Sequence, residues 1–325
     1  MKPLLSICIP TYNREKQLLE NLKRILAQNC PEIEVLVCDN ASTDGTEAAV
    51  RSFLMDNRLE NFYYFKNETN IGPDRNFVKV LSLAKGTYSH LLGDDDFVRD
   101  DYLSKTLPVL KDHTFCYLSF SLPSGTTKLN GSSSKGGIIS LSKSQIPLFL
   151  QALSTGFVYM TFMIFNTEVL KKVQNQERFV GTYFIQSYLC LECIKSSPLP
   201  FGLFDYNPVI NGANAMLGYN VYDVFGKHYF SLLLFGVGNK SKARKIYKRC
   251  GLPWFTQFLP NLRLNGYRQK MSWSAFVFLS SFPKAWFSIF PFVFSPRWLI
   301  KIFWFPLLSF YRSLRKHNNL GSDGA

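Results

Sequence analysis

The chain has 325 residues, of which 46% are hydrophobic, 18% are charged and 16% are aromatic, and its formal net charge is +14. This balance excludes an intrinsically disordered chain, because disorder combines low hydrophobicity with high charge. A chain of this length buries enough surface to fold without disulfides or metal staples, and the usual domain size predicts about two domains.

The first hundred residues alternate short apolar segments with amphipathic ones. Four strands are predicted, at 4–9, 33–38, 62–65 and 88–92. Three helices are predicted between them, at 14–28, from 44 to about 55, and at 73–84. Asn13 and Asp44 are the predicted N-caps of the first two helices, and Pro73 suits the first turn of the third. Such alternation predicts an α/β fold with a mostly parallel sheet and helices on both faces.

The composition changes twice further along the chain. Residues 121–140 are rich in Gly, Ser and Pro and predict a flexible loop, whereas residues 145–195 predict mixed helix with many aromatic side chains. Beyond about residue 215 the chain becomes aromatic and basic. We therefore predict an α/β domain at 1–215 and a helical region at 216–325.

Clusters of polar residues follow the first, second and fourth predicted strands. The clusters are Pro10-Thr11-Tyr12-Asn13-Arg14, Asp39-Asn40 with the residues up to Thr46, and Gly93-Asp94-Asp95-Asp96, which is preceded by the segment from Asn70 to Asn76. Alone, each cluster is typical of a turn, a cap or a solvated helix start. Because ligands bind at the carboxyl ends of strands in such sheets, the three clusters are expected to meet in one crevice.

The chemistry of these clusters suits a phosphorylated ligand. Adjacent carboxylates repel one another, so the Asp94–Asp96 triplet favours a bound cation. Mg²⁺ or Mn²⁺ binds carboxylate and phosphate oxygens together and stabilises a diphosphate leaving group. Asp39 can accept hydrogen bonds from a base or a ribose, and Arg14 and Arg75 offer planar donors for phosphate. The pattern predicts a nucleotide diphosphate whose activated carbon faces the crevice.

Residues 4–110 resemble the family-2 glycosyltransferases of GT-A fold. The segments that carry the resemblance are Ser6 to Asn13, Val37 to Thr46, Asn70 to Gly72, Arg75-Asn76 and Leu91 to Asp96. Among family members, the phrase from Leu92 to Asp96 is most similar to abequosyltransferase-type enzymes of bacterial O-antigen assembly. The resemblance implies sugar transfer from a nucleotide diphospho-sugar, inversion at the anomeric carbon, and Mg²⁺ or Mn²⁺ as cofactor.

The resemblance also implies roles for individual residues. The positions expected to contact the nucleotide-sugar are Pro10, Thr11, Tyr12, Asn13, Arg14, Asp39, Asn40, Gly72, Arg75, Gly93 and Asp94. Asp95 is the expected metal ligand, and Asp94 and Asp96 are its candidate co-ligands. Gly93 stands where the family usually has the first Asp, so the Asp-x-Asp motif is assigned to the residues from Asp94 to Asp96.

A catalytic base is expected because a sugar hydroxyl is a poor nucleophile at neutral pH. The family usually places this base in a Glu-Asp pair on a later helix, but the corresponding segment here, 181–188, has no carboxylate. Three alternatives stay open for the base: Asp96, Glu192 and Asp205.

The last third of the chain is strongly cationic. Residues 224–322 contain 16 Lys and Arg and no Asp or Glu, so that +14 minus +16 leaves −2 for the rest of the chain. All five Trp lie in the last 72 residues, and the longest uncharged runs there are 13 and 12 residues long. A membrane-spanning helix needs about 20 apolar residues. Short aromatic helices with basic flanks instead favour attachment to an anionic membrane surface.

Two other interpretations of this region stay open. The aromatic side chains can be the core of a second domain whose basic residues face water. A nucleic-acid surface also combines basic and aromatic residues, but aromatic side chains in apolar runs suit lipid better than base stacking, so no nucleic-acid partner is expected.

These expectations combine into one functional hypothesis. A nucleotide-sugar half at 1–112 and an acceptor half at 113–215 would transfer a sugar to a polyprenyl-diphosphate-linked saccharide, in O-antigen or surface polysaccharide synthesis. The region 216–325 would hold the protein at the cytoplasmic face of the bacterial inner membrane. Pro10 ends the first apolar run after six residues, so no signal peptide is expected. Reduced thiols, indicated by seven scattered Cys, and the lack of an export signal favour the cytoplasmic side. The alternatives are a non-catalytic membrane-bound scaffold with the same fold, and a processive synthase, which needs several membrane spans.

Overall fold

The computed structural model describes residues 2–57, 60–120, 137–210, 220–264, 269–300 and 302. The chain divides into two compact units. The first comprises Met1–Met216 with Phe235–Gly238, and the second comprises Leu217–Leu234 with Asn239–Ala325. Most of the loop predicted at 121–140 lies outside the described residues.

The described residues of the first unit form ten strands. They are β1 (Leu5–Thr11), β2 (Ile33–Asp39), β3 (Phe62–Lys66), β4 (Tyr88–Leu91), β5 (Phe97–Val98), β6 (Tyr117–Phe120), β7 (Ile138–Leu141), β8 (Met163–Asn166), β9 (Phe201–Phe204) and β10 (Val209–Ile210). The main sheet has the strand order β3-β2-β1-β4-β8-β6-β9-β7, and β5 pairs with β10 in a two-stranded sheet.

Helices connect and follow these strands. Along the first part of the chain they are α1 (Glu15–Leu26), α2 (Thr46–Asp56), α3 (Pro73–Leu83), α4 (Tyr102–Asp112), α5 (Ile146–Leu153), α6 (Thr167–Lys171) and α7 (Ile185–Ser196). After a π-helical turn at Asp223–His228 come α8 (Tyr229–Val237), α9 (Lys240–Arg249), α10 (Gly251–Leu264), α11 (Trp273–Ser280), α12 (Pro283–Ser288), α13 (Phe290–Phe294) and α14 (Arg297–Leu299). No helix in the described part of the chain is both long and apolar enough to cross a bilayer.

The predicted α/β fold is confirmed, and the parallel half of the sheet positions the polar clusters. β1 pairs in parallel with β2 and β4, and β2 pairs in parallel with β3. Every residue of β1 and β2 is buried, as expected for apolar runs covered on both faces of a sheet. Beyond β4 the sheet is mixed, because β8 runs antiparallel to both β4 and β6 and β7 runs antiparallel to β9.

Two of the predicted helix caps are wrong, whereas Pro73 does lie in the first turn of α3. The N-cap of α1 is Arg14, and Asn13 has a left-handed backbone with φ 54°. The N-cap of α2 is Gly45, and the Asp44 carboxylate accepts instead from the backbone N–H of Thr46, at 3.0 Å. Both polar side chains shape the loops before the helices, because short side chains of this type bond to backbone groups nearby.

The second unit divides its aromatic residues between a core and a surface. The rings of Tyr229, Tyr247 and Phe255 are fully buried, whereas Trp273 and Phe287 are 76% and 83% exposed. An aromatic core with a solvated basic face therefore describes some of these residues and not others.

Candidate functional site

Three neighbouring strand ends meet at Thr11. Thr11 ends β1 directly beside Asp39, the last residue of β2, and its carbonyl accepts from the backbone N–H of Asn40 at 2.9 Å. On the other side of β1, Thr11 Oγ1 donates to Oδ2 of Asp94 at 2.7 Å. Since Asp94 follows β4, the sheet brings together the three clusters that the sequence separates.

Asp39 is fully buried at the centre of this site. Its Oδ1 accepts from the backbone N–H of Ser42 at 2.8 Å, and its Oδ2 accepts from the hydroxyl of Tyr64 on β3. Burial and this hydrogen bond raise the pKa of Tyr64 well above its usual range, so the phenol keeps its proton. A ligand that bonds to Asp39 Oδ2 therefore has to compete with Tyr64.

The loops after β1 and β2 form one wall of the site. The backbone N–H of Asn13 donates to Ser42 Oγ, and Asn13 Oδ1 accepts from the backbone N–H of Thr43, both at 2.8 Å. Pro10 is buried within β1, whereas the side chain of Tyr12 is 43% exposed and Arg14 is half-buried. This wall presents an aromatic ring and a guanidinium group beside the carboxylates.

A network of amide side chains fixes the loop before α3. Asn40 Oδ1 accepts from Asn67 Nδ2 at 3.0 Å and from the backbone N–H of Ile71 at 2.9 Å. Asn40 Nδ2 donates to Asn70 Oδ1 at 2.9 Å. The loop then passes through Gly72, whose φ of 83° favours glycine. The side chain of Asn40 therefore stabilises the conformation of this loop through its hydrogen bonds.

A side chain from α1 holds the loop that carries the three aspartates. Nδ2 of the buried Asn21 donates to the carbonyls of Gly93 and Asp96, at 3.2 and 3.0 Å, and its Oδ1 accepts from the backbone N–H of Val98. A Cβ at position 93 would lie 2.7 Å from Asp96 Oδ2, so the Asp96 carboxylate would have to move if a larger residue stood there. Glycine therefore lets the Asp96 side chain pack closely against the backbone of this loop.

The carboxylates of this loop lie in different surroundings. Burial raises the pKa of Asp94 to about 7, against the hydrogen bond from Thr11, and the neighbouring charges of Asp95 and Asp96 act in the same direction as burial. Burial also raises the pKa of Asp96, which accepts from the hydroxyl of Thr161. Asp95 is half-buried, and no group in the described part of the chain donates a hydrogen bond to its carboxylate.

The three aspartates do not converge on a single point. Within the described ranges, no three His, Cys, Asp or Glu side chains are grouped so that they could hold a metal ion. The hydroxyls of Thr11 and Thr161 bond to Asp94 and Asp96, and Asp95 is left as the carboxylate without such a donor. This set fits an ion that one or two carboxylates share with substrate phosphates, which is the usual way Mg²⁺ is held.

The three candidate bases lie at different distances from the strand ends. Asp96 belongs to the site itself. Glu192 lies on α7, and its carboxylate is paired with the guanidinium of Arg178. Asp205 is exposed just after β9, at the same edge of the sheet as β4 but with β8 and β6 between the two strands. Three strand spacings amount to roughly 14 Å, so Asp205 lies apart from the carboxylate loop.

Arg75 and its neighbour Asp74 face different partners. Arg75 is half-exposed and forms an ion pair with Glu177, at 3.0 Å. Asp74 is buried and accepts from the backbone N–H of Gly181 at 2.6 Å. Burial raises the pKa of Asp74, against hydrogen bonds from the backbone of Gly181 and Tyr183. The carboxylate of Asp74 therefore fixes the segment in which the family usually has its own Glu-Asp pair.

Sequence reasoning missed four residues that shape the site, namely Asn21, Tyr64, His90 and Thr161. His90 on β4 is buried, with Nε2 2.8 Å from the carbonyl of Thr161 and Nδ1 accepting from the hydroxyl of Tyr102. Burial lowers the pKa of His90 to about 4, so the ring is neutral and holds Thr161 beside Asp96. Asn21 could have been identified from the sequence, because it is a polar residue on the apolar face of α1. No sequence feature pointed to Thr161.

Comparison with known proteins gives one family. The family model described as "Glycosyl transferase family 2" matches residues 6–174, which is more than half of the chain. Abequosyltransferase RfbV of Salmonella typhimurium is 40% identical over 117 residues, or 35% of each chain. A GalNAc(5)-diNAcBac-PP-undecaprenol beta-1,3-glucosyltransferase of Campylobacter jejuni is 33% identical over 103 residues, covering 31% of this chain and 33% of the relative. The chain thus spans about a third of the length of these relatives.

Solved structures share the fold over a larger part of the chain. The structure of S. aureus TarS 1–349 has a TM-score of 0.55 at 19% identity, and covers 87% of this chain and 82% of that one. The mannosyltransferase PcManGT of Pyrobaculum calidifontis, solved with GDP-Man and Mn²⁺, has a TM-score of 0.54 at 18% identity, and covers 90% and 82%.

Proposed function

The chain belongs to glycosyl transferase family 2, and we propose that it transfers a sugar from a nucleotide diphospho-sugar to a hydroxyl group of a lipid-linked saccharide. The observation that carries this proposal is the convergence of Thr11, Asp39 and Asp94 at the carboxyl ends of three adjacent strands. Ligands of open α/β sheets bind at this edge. The match to the family model confirms the resemblance to family-2 glycosyltransferases that the sequence motifs indicated.

The donor half of the site follows from the charges at this edge. Asp95 and the neighbouring Asp94 would hold Mg²⁺ or Mn²⁺ together with the phosphate oxygens of the donor, and the Mn²⁺ in the Pyrobaculum structure supports this choice of ion. The chemistry that such an ion supplies is neutralisation of the negative charge on the leaving diphosphate. The positive charge of Arg14, which opposes the rise in the pKa of Asp94, would add to this neutralisation.

Asp96 is the base that the geometry favours. It lies in the carboxylate loop, and burial raises its pKa, which makes the carboxylate a stronger proton acceptor. The hydroxyl of Thr161 bonds to Oδ2 of Asp96, which leaves Oδ1 for the acceptor hydroxyl. Glu192 is a weaker candidate because Arg178 neutralises it. Attack opposite the leaving diphosphate would invert the anomeric carbon, as the resemblance implies.

The names of two relatives and the positive charge of the last third support the proposed acceptor and cellular setting. The Campylobacter relative is named for a substrate linked through diphosphate to undecaprenol, and the Salmonella relative for abequose transfer. An acceptor of this kind carries both an anionic diphosphate and a long apolar chain, which suits the aromatic, basic segment 224–322, where no Asp or Glu occurs. We place the reaction in O-antigen or surface polysaccharide synthesis, at the cytoplasmic face of the inner membrane, on an anionic membrane surface.

A donor panel with matched variants tests the proposal. Sugar nucleotides are incubated with membrane-extracted lipid-linked oligosaccharides, and the products are detected by their mass shift. Asp95→Asn is expected to lower kcat/KM by about a hundredfold or more, and EDTA to abolish turnover in the wild type. Asp100→Asn removes a carboxylate whose side chain is 98% exposed and which lies after β5, and it should leave activity unchanged. Undiminished activity with both Asp95→Asn and EDTA would remove the metal from the mechanism.

A non-catalytic scaffold is the alternative in a different class. The observation that favours it is the absence of a carboxylate from the segment 181–188. Such a scaffold would bind a nucleoside diphosphate without turning over any sugar nucleotide. Detectable transfer by the wild type that is lost in Asp96→Asn would exclude it.

A further inference from the structure

Among the exposed aromatic side chains of the second unit, four lie on the consecutive helices α11, α12 and α13. Trp273 on α11 is 76% exposed, Trp286 and Phe287 on α12 are 50% and 83% exposed, and Phe294 on α13 is 63% exposed. We call these four residues the aromatic patch. Scattered apolar residues on a surface need no explanation, but a group of them marks an interaction site.

Ring contacts join three of the four patch residues. The ring of Phe276 lies 5.3 Å from that of Trp273, 6.2 Å from that of Trp286 and 6.4 Å from that of Phe294. Phe287 follows Trp286 directly in the sequence. A cleft of about 560 Å³ opens beside Trp273 and Phe294, and its lining also includes Gln269, Lys270, Met271, Phe276 and Val293. The patch therefore has an apolar surface next to a recess that a lysine helps to line.

Basic side chains lie near the patch, and one carboxylate does too, because Asp223 accepts from the hydroxyl of Ser272, the residue before Trp273. Lys270 and Lys284 are exposed on the same segments. Arg244 on α9 donates to the carbonyl of Ser281 at the end of α11, which places α9 next to the patch. Ala243, Ile246 and Tyr247 bury one face of α9, and Lys240, Lys242, Lys245 and Lys248 are exposed. No acidic residue occurs from 224 to 322, so no carboxylate of this segment offsets these charges.

We propose that the aromatic patch inserts into the headgroup region of an anionic bilayer, with Lys270 and Lys284 at the lipid phosphates. Tryptophan suits this position because its ring is apolar while its N–H can bond at the wet interface. A second copy of the chain is a poor occupant, because it would bring two equally cationic surfaces together. This inference rests on the proposed function, since it names the surface that would contact the membrane holding the acceptor. Its test is independent, because vesicle binding requires no sugar donor.

Vesicle binding of the full chain tests the proposal directly. The protein is sedimented with phosphatidylcholine vesicles that either contain or lack phosphatidylglycerol. We expect binding only to the anionic vesicles, with weakening by salt. The double variant Trp273→Ser, Phe287→Ser is expected to lower the partition coefficient by about a hundredfold or more, because each of the two inserted rings contributes about tenfold or more. Thermal unfolding and circular dichroism confirm that the variant folds.

Met55→Ser is the matched control. Met55 is 74% exposed on α2 and lies in the other unit, so its loss should leave vesicle binding unchanged. Quenching of tryptophan fluorescence by brominated lipids provides a second measurement, since all five Trp belong to the last 72 residues. Quenching should be strong in the wild type and should fall in Trp273→Phe, Trp286→Phe.

Three outcomes would overturn the proposal. They are equal binding to neutral and anionic vesicles, binding that the double variant retains, and a concentration-dependent dimer that the double variant abolishes. Transfer to a water-soluble acceptor analogue is measured in parallel. Intact transfer without vesicle binding refutes the membrane surface alone, and vesicle binding without any transfer refutes the enzymatic function alone.

Discussion

The hydroxyl of Thr11 donates to the carboxylate of Asp94 across 83 positions of sequence, at 2.7 Å. This bond joins the end of β1 to the loop after β4, and it opposes the effect of burial on the pKa of Asp94. The two residues together therefore set the charge of the proposed donor site near neutral pH.

Thr11→Val should move the acidic limb of the pH profile upward. The variant keeps the shape of the side chain but removes a bond that favours the ionised form of Asp94, so the pKa of Asp94 rises further. If turnover needs the ionised carboxylate, kcat/KM at pH 7 falls while activity at higher pH recovers. Thr11→Ser keeps the hydroxyl and should behave like the wild type. A loss of activity that is equal at every pH would contradict this role.

The same carboxylate should make the ligand-free protein less stable as the pH rises. Asp94 has a pKa of about 7 in the folded protein against an ordinary value of 3.8, so the folded state binds the proton more tightly than the unfolded state. Its contribution to the free energy of unfolding is then largest below pH 3.8 and is lost as the pH rises through about 7. Urea unfolding of the wild type and Asp94→Asn from pH 5 to 8 measures this, and the variant should show a smaller decline. Equal declines would contradict the raised pKa.

Gly93→Ala should damage the carboxylate loop. The added Cβ would lie 2.7 Å from Asp96 Oδ2 and 3.2 Å from Thr161 Oγ1, so one of these groups has to move. Overpacking of this kind costs about 1–3 kcal/mol, and we expect a comparable loss of unfolding free energy together with a fall in kcat. At Gly226, a Cβ would meet only Leu279 at 3.9 Å, so Gly226→Ala is the control in thermal unfolding and in the transfer assay.

Tyr64→Phe should strengthen nucleotide binding if the donor base contacts Asp39. The phenol hydroxyl occupies Oδ2 of Asp39, and its removal frees that oxygen for a ligand N–H or O–H. Titration calorimetry with a nucleoside diphosphate should then give a lower Kd than for the wild type. Tyr63→Phe alters a neighbouring exposed phenol and should leave Kd unchanged. An unchanged Kd in Tyr64→Phe would mean that Asp39 supports the loop and does not bind the base.

The local pattern was sufficient for the parallel half of the fold. The apolar runs that became β1 and β2 are buried along their whole length, and the rule for strand ends correctly brought Thr11, Asp39 and Asp94 together. The predicted roles of these residues stay predictions, as do the domain boundaries at 215 and 216. The N-caps were predicted wrongly for two reasons. Asn13 bonds to the backbone of Thr43, 30 positions away, and Asp44 bonds to the backbone of Thr46 while Gly45 between them is the N-cap.

Residues distant in sequence decided the chemistry of the site. Asn21 reaches Gly93 over 72 positions, Thr161 reaches Asp96 over 65, and Tyr64 reaches Asp39 over 25. Each contact changes the burial, the hydrogen bonding or the accessibility of a carboxylate. A motif states which carboxylates are present, but it does not state which of them is buried or already bonded.

The sequence by itself determined the family, the parallel strands and the unbalanced charge of the last third, because these depend on residue type and on spacing along the chain. Only the tertiary structure decided that Asp39 is buried, that burial raises the pKa of Asp94 to about 7 and that the four rings of the aromatic patch remain on the surface. Desolvation and hydrogen bonding depend on neighbours in space, and packing selects those neighbours from distant parts of the chain.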